Sequence, residues 1–552
     1  MLRKTVKVLA WISGIFVLLI IGLIAYVRTV ADIAPPVPES LTALDKEVVE
    51  IDTGLFKIDN NWFKKSESGL YELYVEGDPF ERGVANGKLT RELVHYQEEV
   101  FTEQIHRLVP SDFYLGILKY FVGWFNRNLQ ENIIEEYQLE ILGVSYAAST
   151  EFDDIAPPYQ RILNYHAAHD IGHALQNMSL VGCTAFATWG DESEDSTLII
   201  GRNFDFYVGD EFARDKIIAF YKPAEGHKFM MVTFGGMTGV LSGMNDQGLT
   251  VTINAAKSDV PTASATPVAL VTREILQYAS TIQEAYDIVA KRKMFVAESF
   301  LIGSARDGKA AIIEKTPDDI DLVEARDNYL LSTNHFLGNK LGVSQLNQLH
   351  VKTSASPYRY KRLGELVARN KKNSVTKTAA ILRDQRGLGD KDIGLGNEKA
   401  INQLVAHHGI IFQPEKKLMW ISTAPWQLGK FVCYDLEKAF AYKAESNEEI
   451  YEAALTIPAD SFLLTQQYRD YLKFHKYRFP FNPKTGLQPD SIVKWNSNSY
   501  HAYMMAADYY YERKEWVKAI PFYEKGLTKE VATVQERYHM EKNLEDCKKK
   551  NK

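Results

Sequence analysis

Hydrophobic and polar positions change rhythm three times along this chain. Val8 to Val27 is a run of twenty largely apolar residues without a charge. At 1.5 Å rise per residue, such a run predicts a helix as long as a bilayer core is thick. Residues 29–45 include Ala34-Pro35-Pro36-Val37-Pro38, a stiff extended spacer. From 46 to 182 the pattern is mainly helical. Gly77-Asp78-Pro79 opens one helix, with Asp78 at the N-cap and Pro79 in the first turn. Gly83 and Gly87, four apart on one face, suit close packing there. Tyr114 to Phe125 is apolar and aromatic with Lys119 its only charge. It is too short to span a bilayer and is expected in the core, with a patch lying against the membrane as the alternative.

From 183 to 445 the period shortens to that of strands. Runs at 183–188 and 198–206 flank a polar, acidic turn and predict a β-hairpin. Further strands are expected at 216–221, 228–234, 249–254, 299–302, 310–315 and 329–332, with a helical stretch at 271–293. A helix opens at Ser356, and 408–412 with 417–423 reads as another hairpin. Strands, helices and strands in two blocks favour sheets packed face to face over regular βαβ units. Over 446–552 the strand signal stops. Tyr500 to Leu527, with Trp516, Ala519 and Ile520, resembles one tetratricopeptide-like helical pair. One such unit cannot bury its own face, so it is expected to pack on the body or on a protein partner.

Composition narrows the functional classes. The chain has 552 residues and a net charge of −7, with no long basic block before the extreme C-terminus, which excludes an evident nucleic-acid footprint. Its three cysteines, Cys183, Cys433 and Cys547, make no disulfide framework. Arg3, Lys4 and Lys7 precede the apolar run 8–27. By the charge rule, residues 1–28 read as a single-pass signal anchor with a cytoplasmic N-terminus, and the catalytic part is expected on the periplasmic or other extracytoplasmic side.

The chemistry gathers at the first hairpin. A thiol follows a glycine at Gly182-Cys183, and the opposite strand carries Arg202 and Asp205. A thiol attacks only as thiolate and needs a base. Were the Gly182–Cys183 bond cut, the new α-amino group, with a reference pKa of about 7.7–8.0, would stand beside the sulfur. The cut can be internal, the thiol attacking the Gly182 carbonyl. The plainer reading of Cys183 is a buried, inert thiol, and of Arg202 and Asp205 a structural ion pair. Residues three apart in a regular strand face opposite ways, so both can line one site only at a bulge or strand end. Asn254 and Asn334 are candidate oxyanion donors, and Arg359 a candidate support for the site; singly, they read as turn residues and a surface charge. His166, His169 and His173 share a helical face and admit a metal-dependent hydrolase as the alternative. A catalytically inactive binding protein is a third reading.

Gly182-Cys183-Thr184, Gly201-Arg202-Asn203-Phe204-Asp205, Gly243 through Leu249 with Asn254, and Thr333-Asn334-His335-Phe336 together resemble the N-terminal-nucleophile hydrolases. Within these they resemble the isopenicillin N acyltransferase-like, peptidase C45-type group, and more distantly the choloylglycine hydrolases. Gly77 through Gly87 is similar to that group's propeptide opening, and Tyr358 through Arg362 to its later arginine motif. The resemblance spans roughly 70–440. It implies an α+β fold, a four-layer αββα sandwich over 183–445 preceded by a helical propeptide region, and self-cleavage before Cys183. It further implies attack by Cys183 on the linear amide of an N-acylated small molecule. Arg202 and Asp205 would hold the nucleophile and its amine, Asn254 and Asn334 would form the oxyanion site, and Arg359 would support them. No cofactor and no metal are implied.

Overall fold

The computed structural model describes residues 2–551 apart from 110, 176–181, 258–263, 480–481, 483–485 and 487. Two sheets stack face to face. The smaller has six strands. Its centre is the expected hairpin, Thr184–Thr188 against Ile199–Phe204, flanked by Tyr329–Ser332 on one side and by His408–Gln413, Leu418–Ser422 and Phe431–Asp435 on the other. The larger has eleven strands, running from Val49–Asp52 at one edge to Ile320–Glu324 at the other. All pairings are antiparallel except Tyr71–Gly77 with Ile217–Pro223, where a sequence-distant segment joins the sheet.

Alternation along the strands sorts side chains between layers. Ala185, Ala187, Ile200, Ile410 and Ile421 of the small sheet meet Ile218, Phe220, Met230, Val232, Leu301 and Ile312 of the large one in a dry central core. The outward face of the small sheet, with Phe186, Ile199, Ile411 and Trp420, is covered by helices Ser356–Arg369 and Val375–Leu382 through Leu363, Leu366, Val367 and Leu382. The outward face of the large sheet is covered by Val268–Tyr278 and Ile282–Lys291 through Val271, Ile275, Leu276, Ala285 and Val289. These four layers make the αββα sandwich. The helical stretch expected at 271–293 is two helices: the first ends at Tyr278, and Thr281 caps the second in a reciprocal box with Glu284.

The region before Cys183 departs from a purely helical reading. Val49–Asp52, Leu55–Ile58, Asn61–Lys65 and Tyr71–Gly77 are strands that extend the larger sheet. Short aromatic and β-branched runs are joined there by tight turns at Gly54 and Gly69, both at positive φ. Helices follow from Pro79 to Leu175. Gly83 and Gly87 lie against helix Glu135–Ser145, where a Cβ on Gly83 would sit 2.1 Å from the Glu140 carbonyl oxygen. Helix Asp112–Phe125 does not enter the core as expected: Phe113, Tyr114, Ile117 and Phe121 are all exposed.

The membrane reading is overturned. The apolar run forms a helix, Leu2–Ala31, yet among the described residues no helix is long and apolar enough to cross a membrane. Its last turn is tied to the globular body. Ala31 is buried, its carbonyl accepts a hydrogen bond from Gln160 Nε2 at 2.5 Å, and its Cβ rests against Gly123. The single-pass anchor and the extracytoplasmic placement are therefore withdrawn.

Candidate active site

The hairpin register sets Thr184 opposite Asn203 and Ala185 opposite Arg202. Beyond the regular ladder, the Gly182 amide donates to the Asp205 carbonyl at 2.9 Å. Cys183 is thereby fixed at the mouth of the hairpin, with its Sγ 3.9 Å from the same carbonyl. The strand stops at Phe204, so Asp205 is not held to strand alternation. Arg202 and Asp205, though three apart, both lie near Cys183, Arg202 through its side chain and Asp205 through its backbone carbonyl.

Arg202 bridges the two sheets. Its Nη2 lies 3.9 Å from Cys183 Sγ and donates to the Ile253 carbonyl. Its Nη1 donates to Ser242 Oγ at 2.7 Å and lies 3.4 Å from His408 Nε2, while its guanidinium stacks 4.3 Å from the Phe204 ring. Asn254 Nδ2 donates to Ser332 Oγ at 3.0 Å. Asn334 Nδ2 donates to the Ala255 carbonyl at 2.9 Å, and its Oδ1 accepts from Arg359 Nη2 at 2.5 Å. Arg359 Nη1 donates in turn to the Glu398 carbonyl at 2.8 Å. The six sequence-selected residues thus occupy one buried cluster.

Burial governs the charges here. It pushes the Cys183 thiol up to about 11, against the opposing pull of the Arg202 guanidinium. It raises the Asp205 carboxyl to about 7, although Arg359 and then Arg202 favour the ionised form. Neither Asp205 carboxylate oxygen has a hydrogen-bond partner among the described residues. Glu298, which also faces Arg202, is driven well above the carboxylate range by burial and by Asp170. With the chain unbroken at Gly182–Cys183, the site holds a neutral thiol beside fixed cations.

Sequence reasoning missed the group that touches the Gly182 carbonyl. Gln403 Nε2 donates to it at 2.6 Å. The side-chain amides of Asn254 and Asn334 are directed instead to Ser332 and Ala255. Gln403 lies in an irregular loop far downstream, and nothing in its neighbourhood forms a motif. Ser242 and His408, the other partners of Arg202, were equally invisible, although Ser242 immediately precedes a segment that was singled out.

The histidine alternative finds little footing. Both ring nitrogens of His166 are engaged, Nδ1 with the Ile162 carbonyl and Nε2 with Thr238. The side chains of His169 and His173 lie outside the described residues.

Residues 192–421, which hold all of the cluster downstream of Cys183, match the family described as acyl-coenzyme A:6-aminopenicillanic acid acyl-transferase. That match supports the resemblance to the N-terminal-nucleophile hydrolases, and the four layers are those the resemblance implied. An uncharacterised protein of Archaeoglobus fulgidus is 25% identical over 267 residues, 46% of this chain and 44% of that one. The protein dcd1B of Dictyostelium discoideum is 21% identical over 267 residues, 45% of this chain and 50% of that one. The chain therefore spans about half the length of these relatives. Two solved structures are also similar. One is the Caenorhabditis elegans ortholog of N-acylethanolamine-hydrolyzing acid amidase (16% identity, 42% of this chain and 93% of that one, TM-score 0.31). The other is a mutant of conjugated bile acid hydrolase from Clostridium perfringens (15% identity, 49% and 96%, TM-score 0.32).

Proposed function

We propose that this chain is a self-cleaving cysteine amidohydrolase or acyltransferase that acts on the linear amide bond of an N-acylated small molecule. The observation that carries the reading is the convergence on Cys183 of the Arg202 guanidinium, the Asp205 backbone carbonyl and a held Gly182 carbonyl.

Before cleavage the thiol has no strong base and sits in surroundings that keep it protonated. Cleavage before Cys183 would release an α-amine next to the sulfur. That amine has a reference pKa of about 7.7–8.0 and can take the thiol proton at neutral pH. Asp205, with both carboxylate oxygens unengaged, is suited to hold the resulting ammonium. Arg202 would stabilise the thiolate. The sulfur would then attack the substrate carbonyl, expel the amine and leave an acyl-enzyme. Water resolves it in hydrolysis, and a second amine resolves it in transfer. Asn254 and Asn334 each keep an amide N–H besides the one committed to Ser332 or Ala255, and these are candidate donors to the substrate oxyanion. Arg359 fixes the orientation of Asn334 by occupying its Oδ1.

The test is a panel of N-acyl amides assayed with the full chain and with Cys183→Ala. Turnover by the parent is expected, with an acyl adduct trapped on the fragment that begins at Cys183. Loss of at least about a thousandfold is expected on substitution. Turnover retained by Cys183→Ala would overturn the reading.

A further inference from the structure

We infer that Gln403 is the oxyanion donor of the self-cleavage step at Gly182–Cys183, an inference that rests on the self-cleavage proposed above. Three observations meet at this residue. Its Nε2 donates to the Gly182 carbonyl oxygen at 2.6 Å, at the short end of N–H···O hydrogen bonds. A carbonyl oxygen only accepts, so the amide nitrogen must be the atom that faces it. Both residues are buried, and in a dry site a preoriented donor is worth far more than in water. Finally, the Gln403 amide fills the space that any side chain on residue 182 would need. A Cβ there would lie 2.2 Å from Nε2 and 2.4 Å from Oε1. Glycine before the nucleophile is thus what admits the donor.

The loop that carries Gln403 is braced. The Asn402 amide donates to the Asp384 carbonyl at 2.8 Å, and Asn402 Oδ1 accepts from the Leu404 amide at 2.9 Å. Leu404 itself sits at φ 56°, a left-handed conformation that a leucine adopts only when its surroundings hold it. Backbone strain is thus stored at the residue next to the donor.

The chemistry balances without an added reagent other than water. Cys183 Sγ bonds to the Gly182 carbonyl carbon, and the π pair moves onto the oxygen that Gln403 holds. The carbon–nitrogen bond then breaks, and the thiol proton ends on the departing Cys183 nitrogen. This leaves a thioester between Gly182 and Sγ. Water adds its hydroxyl to the acyl carbon and returns a proton to sulfur, giving a Gly182 carboxyl and a Cys183 with free amine and thiol.

The experiment times the appearance of the fragment beginning at Cys183 in full-length chains made by cell-free translation. Gln403→Leu is expected to slow it by about 10²–10³-fold, the usual cost of one lost oxyanion donor. Gln403→Glu is nearly isosteric and keeps the test open if the leucine variant fails to fold. Its carboxylate cannot donate, but its protonated form can, so its deficit relative to the parent is expected to shrink as pH falls from about 8 to about 5. Hydroxylamine intercepts thioesters and is expected to leave the uncut Gln403→Leu chain intact, since the block precedes the thioester. A parent that cleaves while both variants cleave at the parental rate would overturn the role of Gln403 and leave self-cleavage standing. Full hydroxylamine cleavage of Gln403→Leu would likewise overturn it. A parent that never cleaves would overturn the reading on which it rests.

Discussion

Asp205 carries the clearest residue-scale consequence. Its carboxyl is raised from 3.8 to about 7 in the unbroken chain, chiefly by burial. A raised folded-state value means that the neutral acid is the favoured form. The associated stability is fully present below about pH 4 and is lost as pH rises through about 7, with a ceiling of roughly 4 kcal/mol. Asparagine keeps the shape and cannot ionise. In the uncleavable Cys183→Ala background, the melting temperature is expected to fall between about pH 4 and about pH 7, and to fall less when Asp205→Asn is added. Equal slopes, measured by thermal melts across that range, would contradict the assignment. At this scale the sequence was legible where chemistry is local. Cys183, Arg202 and Asp205 sit on one hairpin, so their closeness can be read along the chain. Gln403 was not legible, because a single glutamine in a loop has no period, charge or spacing to mark it, and its meaning comes only from the carbonyl it meets.

At the scale of elements, packing of the helix Pro79–Leu89 on Glu135–Ser145 depends on two glycines and a buried charge cluster. Arg82 and Arg273 both bind the Glu140 carboxylate, Arg82 at 2.6 Å and Arg273 at 3.3 Å. The same residue's backbone carbonyl lies where a Cβ of Gly83 would go. Gly83→Val therefore has to part the helices and disturb the ion pairs. A loss of at least about 1–3 kcal/mol is expected, read as a lower midpoint in urea unfolding. An unchanged midpoint would show that the helices do not meet as described. The sandwich strands were largely readable from alternation, and 329–332 is found as expected. The strands before residue 77 were missed because they are short, and their meaning depends on pairing with residues 217–223 far along the chain. The exposed aromatic face of Asp112–Phe125 was misread because an apolar period reports what could be buried, not what is.

Across the whole molecule, Glu398 links the C-terminal helices to the active-site cluster. The Glu398 side chain is held by Arg478, by Tyr500 Oη at 3.0 Å and by His501 Nε2 at 2.8 Å, while its carbonyl anchors Arg359. His501 and Arg478 hold the Glu398 carboxyl well below the usual carboxylate range. Glu398→Ala would leave Arg478 buried and unpaired, at a cost of about 3–5 kcal/mol. Limited proteolysis is expected to release a fragment from 466–552 faster than in the parent, with a fall in turnover as Arg359 loosens. Unaltered proteolysis would separate the extension from the site. The proposed chemistry turns on the bond between Gly182 and Cys183, and the most direct measurement is the intact mass of the full chain under denaturing conditions. Two fragments, the second beginning at Cys183 and absent from Cys183→Ala, are the expected result. One uncut chain that nevertheless turns over an N-acyl amide would contradict the central claim.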